Sequence, residues 1–213
     1  MSPLHGVEID RHVSSEGEKV RHLIGMKCWC QDDQGQPDPN CKDHENGGYL
    51  YVNETTMTGL VTAISNRKEL LETGLFLPTD CIFSPLTDDI VSEMDKIIFT
   101  WPLPYGSGDA LVRGAGSGDA LYYAATKAIY CIDKDRTAYK ENIDFRFTGR
   151  NIEWQWDGKP AIGKAPKLGM KYAVKYMAFL EWIAFMPPDN RISHGEDIGS
   201  KVFLRRKHLW EGV

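Results

Sequence analysis

The chain has 213 residues, 42% hydrophobic and 26% charged, with 25 basic against 30 acidic side chains and a net charge of −5. Such a composition supplies core for one good-sized domain or two small ones, and it argues against a nucleic-acid binder whose affinity rests on neutralising phosphates, though not against an acidic ring past which DNA slides. No apolar run approaches the roughly 20 residues of a membrane helix, and Met1–Lys19 has no signal-like hydrophobic stretch. The expectation is therefore a reducing cytosol, no membrane contact, and thiols that hold metals more often than they pair.

In chain order, residues 1–21 read as a polar N-terminal arm. A short helix over Ser15–His22, capped by Ser14 or Ser15, is one reading of its end and a poorly ordered terminus is the other. Leu23–Lys27 and Tyr49–Val52 read as strands. Between them stand Cys28-Trp29-Cys30 and Cys41-Lys42-Asp43-His44. Soft thiolate and imidazole donors at this spacing suit a tetrahedral zinc ion held by Cys28, Cys30, Cys41 and His44. The intervening Gln31–Asn40 is turn chemistry with no apolar face, so a metal clip is the economical way to order it. Gly47-Gly48 marks a sharp turn after the last ligand. The alternatives are ordinary buried cysteines beside an exposed His44, or a disulfide. Four protein ligands leave no open position, so such a zinc is structural and not catalytic. Residues 22–53 form on this reading a small zinc-ribbon-like unit.

From residue 54 to 213 the text is that of a β-rich barrel or sandwich body, with short strands punctuated by Pro and Gly. Thr56–Ile64, Asp80–Ser84 and Asp95–Trp101 are strands, and Lys68–Thr73 is a brief helical or irregular connector. A hexapeptide then recurs, Gly106-Ser107-Gly108-Asp109-Ala110-Leu111 and Gly116-Ser117-Gly118-Asp119-Ala120-Leu121. Neither copy continues as a Walker loop or sits in a dinucleotide-binding context, so both read as turns flanking Leu111-Val112-Arg113, or as a local slip without function. Ala120–Ile132 fits helix or strand, with strand preferred for the hairpin-like text that follows. Asp144–Phe147, Asn151–Trp156 and Lys171–Phe179 are further strands, with turns at Asp133–Arg136 and Asp157-Gly158. Lys201–Leu209 is a basic strand with two readings: a docking or phosphate-facing strand, or an edge strand protected by its charges.

Catalytic machinery is not legible. Asp88-Asp89, the Asp133/Asp135 turn and His194-Gly195-Glu196-Asp197 offer acids and a base but no marked nucleophile, and no GxSxG or HExxH is present. Cys81 and Cys131 lie in apolar strand text and read as core. The expectation is a protein that is not an enzyme.

Cys28-x-Cys30, then Gly35-Gln36-Pro37-Asp38-Pro39-Asn40-Cys41, His44, Gly47/Gly48 and Tyr49 resemble a segment of the neck proteins of tailed bacteriophages. There the pattern tends to end Cys-x-x-Cys-x-Gly-x-Gly, and here His44 replaces the last cysteine. Asp80–Pro85, Asp95–Pro102, Asn142–Phe145 and Lys171–Tyr176 are similar to the β-rich body of those proteins, so the resemblance spans roughly residues 22–210. It implies a structural virion protein assembled in the host cytoplasm, a homo-oligomeric ring at the head–tail interface. Its partners would be portal or adaptor and tail proteins, with DNA touched only non-specifically in the channel. The six Trp, nine Tyr and eight Phe fit an interface-rich protein. The competing expectation is a cytosolic zinc-ribbon module that contacts nucleic acid, through Arg205-Arg206-Lys207, or a protein partner.

Overall fold

A computed structural model describes residues 5–44, 47–156, 159–160, 164–193 and 196–210. The Asp157-Gly158 turn and the His194-Gly195 pair named above lie outside the described residues. The fold is mainly β, as expected, and contains a closed barrel of six antiparallel strands. The chain divides into two compact units, Met1–Thr100 with Glu181–Val213, and Trp101–Leu180.

In chain order the first unit begins with helix α1 (Gly6–Glu16), β1 (Glu18–Lys27), β2 (Tyr49–Ala63), a 3-10 turn (Ile64–Asn66), α2 (Lys68–Glu72), β3 (Cys81–Pro85) and β4 (Lys96–Phe99). The second unit supplies β5 (Leu103–Pro104), β6 (Asp109–Val112), β7 (Gly118–Ala120), β8 (Ala125–Asp133), β9 (Ala138–Tyr139), β10 (Arg146–Thr148), β11 (Asn151–Glu153), β12 (Gln155–Trp156), β13 (Lys159–Pro160) and β14 (Lys171–Ala178). The chain then completes the first unit with β15 (Glu181–Ala184), β16 (Asp189–Ser193), β17 (Glu196–Arg206) and α3 (Lys207–Trp210).

The barrel runs β15-β4-β1-β2-β3-β17 and closes by pairing β15 with β17, while β16 continues outward from β17. Closure leaves no stave as a free edge, the standard hazard of a β protein. Cross-strand register puts Val20, Met57, Phe83, Val202, Leu204, Ala184, Ile97 and Phe99 on one face, all buried: this is the barrel interior. On the opposite face, Ile82 and Phe203 join Ile64, Phe76 and Phe185 in a second cluster, covered by Leu70 and Leu71 of α2. β4 and β15 are buried on both faces, which is why Lys-Ile-Ile-Phe and Glu-Trp-Ile-Ala run without polar alternation.

Three expectations are corrected here. In the arm expected at residues 1–21, the described residues 5–21 hold α1 and the start of β1, so the helix ends where the sequence placed its beginning. Val13 anchors it, and Gly17 ends it where a Cβ would meet the Val13 carbonyl at 2.3 Å. Residues 22–53 are not a domain apart from 54–213. β1 and β2 are full barrel staves, and β2 is one strand through a kink at Asn53, whose φ of 53° breaks the sequence pattern at the expected boundary. The C-terminal basic strand is neither an edge nor a free docking strand, because β17 is paired with β3, β15 and β16. Three charges of the basic run are engaged inside the first unit. Arg205 Nη2 donates to Asp80 Oδ2 at 2.8 Å, Lys207 Nζ lies 3.4 Å from Glu181 Oε2, and the Arg206 guanidinium lies over the Trp182 ring.

The second unit is inserted between the antiparallel neighbours β4 and β15. Its largest sheet is β5-β14-β8-β9 with β6 also on β14, beside the sheets β10-β11-β7 and β12-β13. Ala120–Ile132 resolves mainly as strand β8. The core is aromatic: Trp154 sits edge-on to Tyr172 and Tyr139, and Tyr105 edge-on to Tyr123. Buried hydroxyls need partners, and the duplicated hexapeptide supplies them. Asp109 Oδ2 accepts from Tyr176 at 2.7 Å and Asp119 Oδ2 accepts from Tyr172 at 2.8 Å. The two tyrosines lie four residues apart on the buried face of β14. The repeat is thus a pair of carboxylate anchors for one strand.

Candidate metal centre

β1 and β2 pair in register down to Lys27 and Tyr49, so residues 28–48 form the tip of a long hairpin. Backbone and Asx bonds shape that tip from its own sequence. Asp32 Oδ1 accepts from Gln34 N at 2.9 Å and Gln36 N at 2.8 Å, while Asp38 Oδ1 accepts from Asn40 N and Asp38 O from Cys41 N. Cys28 N donates to Gly48 O at 2.8 Å, and Gln31 Nε2 donates to the same carbonyl. Gly48 has φ of 76°, and a Cβ there would meet Pro37 Cβ at 2.7 Å. The turn anticipated at Gly47-Gly48 therefore closes the loop against its proline.

This scaffold brings the four sequence-predicted residues together. One ligand atom from each of Cys28, Cys30, Cys41 and His44 lies within 4.8 Å of the others. Cys28 Sγ and Cys41 Sγ are 3.8 Å apart, and no disulfide forms. Zinc–sulfur bonds of ~2.3 Å at tetrahedral angles put sulfurs about 3.8 Å apart. The separation therefore fits a shared metal, while a disulfide needs roughly 2 Å. Burial pushes the Cys28 thiol up, but the Cys30 backbone N–H and the two neighbouring thiols outweigh it and hold Cys28 below its ordinary range. Burial and the Cys28 sulfur push Cys30 up to about 11. A sulfur that accepts backbone N–H bonds is one prepared to carry negative charge, as a metal-bound thiolate must. Among the described residues this is the one group of three or more Cys, His, Asp and Glu side chains placed to hold a metal.

The other candidates fall elsewhere. Asp88 is exposed, and Asp89 is half-buried, with burial holding its carboxyl above the usual range. Asp10 of α1 spends both oxygens on Thr87 N and Oγ1. Asp133 caps the turn after β8 through Asp135 N and Thr137 N and accepts from Tyr139 Oη at 2.7 Å. Cys81 and Cys131 are buried, and burial pushes each thiol up to about 12, as inert core. Sequence reading missed His22, whose Nε2 lies 2.8 Å from Asp95 Oδ2 on the barrel's inner face, with Asp95 also accepting from Gly25 N and Ser92 N. Its only signal was a lone histidine in apolar strand text. No family model matches the chain, and no curated protein matches it in sequence.

Proposed function

We propose that the protein is a structural neck component of a tailed bacteriophage, a ring-forming protein that joins the head to the tail and helps close the DNA channel, with a structural zinc ion held by Cys28, Cys30, Cys41 and His44. The observation that carries the reading is the hairpin tip. The segment that bears the neck-protein resemblance, Cys28 to Tyr49, is the segment whose four donors converge within 4.8 Å. The donor set is soft and borderline, which selects zinc over magnesium or calcium. A four-ligand ion has no vacancy for substrate, so its work is to hold the hairpin loop in one shape. A closed barrel leaves none of its six staves as a free edge, which suits a mechanical role. The alternative, a cytosolic zinc-ribbon module gripping nucleic acid through Arg205-Arg206-Lys207, draws no support from side chains engaged with Asp80, Glu181 and Trp182.

Native mass measurement and electron microscopy of the metal-loaded protein test this. Closed rings of about six or twelve copies support it. A stable monomer that shifts an oligonucleotide overturns it in favour of the alternative.

A further inference from the structure

The net charge of −5 hides a division. Residues 101–180 carry twelve Lys and Arg against eight Asp and Glu, whereas the rest of the chain carries thirteen against twenty-two. The positive unit is more basic outside than its count suggests. Asp109, Asp119, Asp133 and Asp144 are half-buried or buried, and spend their oxygens on tyrosine hydroxyls and backbone N–H groups.

Four of the twelve basic side chains share one sheet face. Along β14, Tyr172, Val174 and Tyr176 point inward, and Lys171, Ala173 and Lys175 are exposed on the other side. Register places Val112 beside Lys171, Tyr130 beside Lys175 and Lys127 beside Met177 on that outer face, and Lys134 N donates to Lys171 O. Among the described residues, none of the ammonium groups of Lys127, Lys134, Lys171 and Lys175 has a carboxylate within 4.0 Å. The small side chains of Ala110 and Ala173 leave an open groove of about 520 Å³ between Val112, Lys134 and Lys171. Val112 is 54% and Tyr130 55% exposed.

The same chain presents the complement. The metal-centre loop carries Asp32, Asp33, Asp38 and Asp43, all exposed, against a single Lys42 among its described residues. Between the ligands Cys28 and Cys30 stands Trp29, 74% exposed, beyond the half-exposed Met26 at the hairpin's end. An exposed indole in a loop that carries four aspartates matches an apolar groove bordered by Lys134 and Lys171, with Lys175 further along the same face, in sign and in having a hydrophobic centre.

We infer that the metal-centre loop of one copy docks in this lysine-rimmed groove of the next copy, with Trp29 as the anchor. The inference rests on the ring reading above and deepens it: two different surfaces meet, so the contact is heterologous and propagates around a ring. A second copy fits the groove better than nucleic acid does, because its loop brings an exposed apolar anchor to the apolar floor as well as carboxylates to the lysines, and a phosphate chain brings only the charge.

The test uses full-length, metal-loaded protein measured by native mass spectrometry and mass photometry. Lys171→Glu with Lys175→Glu is expected to weaken assembly at least 100-fold, and Trp29→Ala at least tenfold, with far-ultraviolet CD and melting unchanged because every altered side chain is exposed. Asp33→Lys with Asp43→Lys, both exposed, is expected to fail alone and to recover assembly when combined with the lysine reversals. Wild-type rings that survive the reversals unchanged overturn the inference and leave the ring reading standing. A wild type that stays monomeric overturns both. Reversals that abolish binding of a labelled oligonucleotide but leave assembly intact overturn the inference in favour of a nucleic-acid face.

Discussion

Asp119→Ala removes one of the two carboxylates of the duplicated hexapeptide. Its Oδ2 accepts from Tyr172 Oη at 2.8 Å and Trp154 Nε1 at 3.1 Å, and its Oδ1 accepts from Gly114 N at 2.7 Å. Tyr172 is 3% and Trp154 1% exposed, so water cannot replace the lost acceptor. Stranding a buried donor costs about 1–3 kcal/mol, and two fully buried donors plus the loop N–H give a loss of about 3–5 kcal/mol. That is a large share of a total stability of ~5–15 kcal/mol. Tyr172→Phe alone should cost about 1–2 kcal/mol, because the carboxylate keeps its other donors. In the Asp119→Ala background the same change should cost nothing, since it deletes a hydroxyl already stranded. Equilibrium urea unfolding followed by near-ultraviolet CD, which reports the packed aromatic cluster, measures all three. A loss below about 1 kcal/mol for Asp119→Ala, or strict additivity with Tyr172→Phe, would refute the view that the repeat exists to anchor β14.

Three other expectations follow from the same interactions. The Tyr139 hydroxyl, with the Thr137 and Asp135 N–H groups, holds the Asp133 carboxyl below its ordinary range. Its contribution is therefore complete above the unfolded value of about 3.9 and is lost as pH falls through the lower folded value, so Asp133→Asn should flatten the acid limb of urea midpoint against pH below about pH 4. Glu181→Ala leaves Lys96 and Lys207, 4% and 5% exposed, without the carboxylate each approaches at 3.4 Å, and should cost about 3–5 kcal/mol by thermal or urea unfolding. The bidentate Arg21–Glu54 pair is nearly half exposed on both sides, so Glu54→Ala should cost less than about 1 kcal/mol and less still at 1 M salt.

What the sequence displayed depended on how local each feature was. The four converging donors lie within one hairpin tip, so their spacing and the turn residues between them were enough to bring them together on paper. β class was equally visible in short runs cut by Pro and Gly. The connections between distant parts were not. Asp119 and Tyr172 are 53 residues apart, and Asp109 and Tyr176 are 67 apart, so the repeat looked like idle turns. The barrel's halves are separated by the inserted 101–180 unit, and a boundary drawn once along the chain cannot express an insertion. Asn53 carried a positive φ in mid-strand and divided one strand into two on paper. The basic C-terminal run showed its charges and not their partners, since Asp80 and Glu181 lie far upstream. Net charge misled for a related reason: a total of −5 conceals a positive unit joined to a negative one.

The claim on which the rest depends is that a metal bound by Cys28, Cys30, Cys41 and His44 orders the hairpin tip. Elemental analysis of the purified protein, run beside mass mapping of alkylated thiols before and after chelation, tests it most directly. The account predicts about one zinc per chain, with Cys28, Cys30 and Cys41 protected until the metal is stripped and Cys81 and Cys131 protected until the protein unfolds. Less than about half an equivalent of any metal, with Cys28, Cys30 and Cys41 alkylated in the untreated native protein, would contradict it.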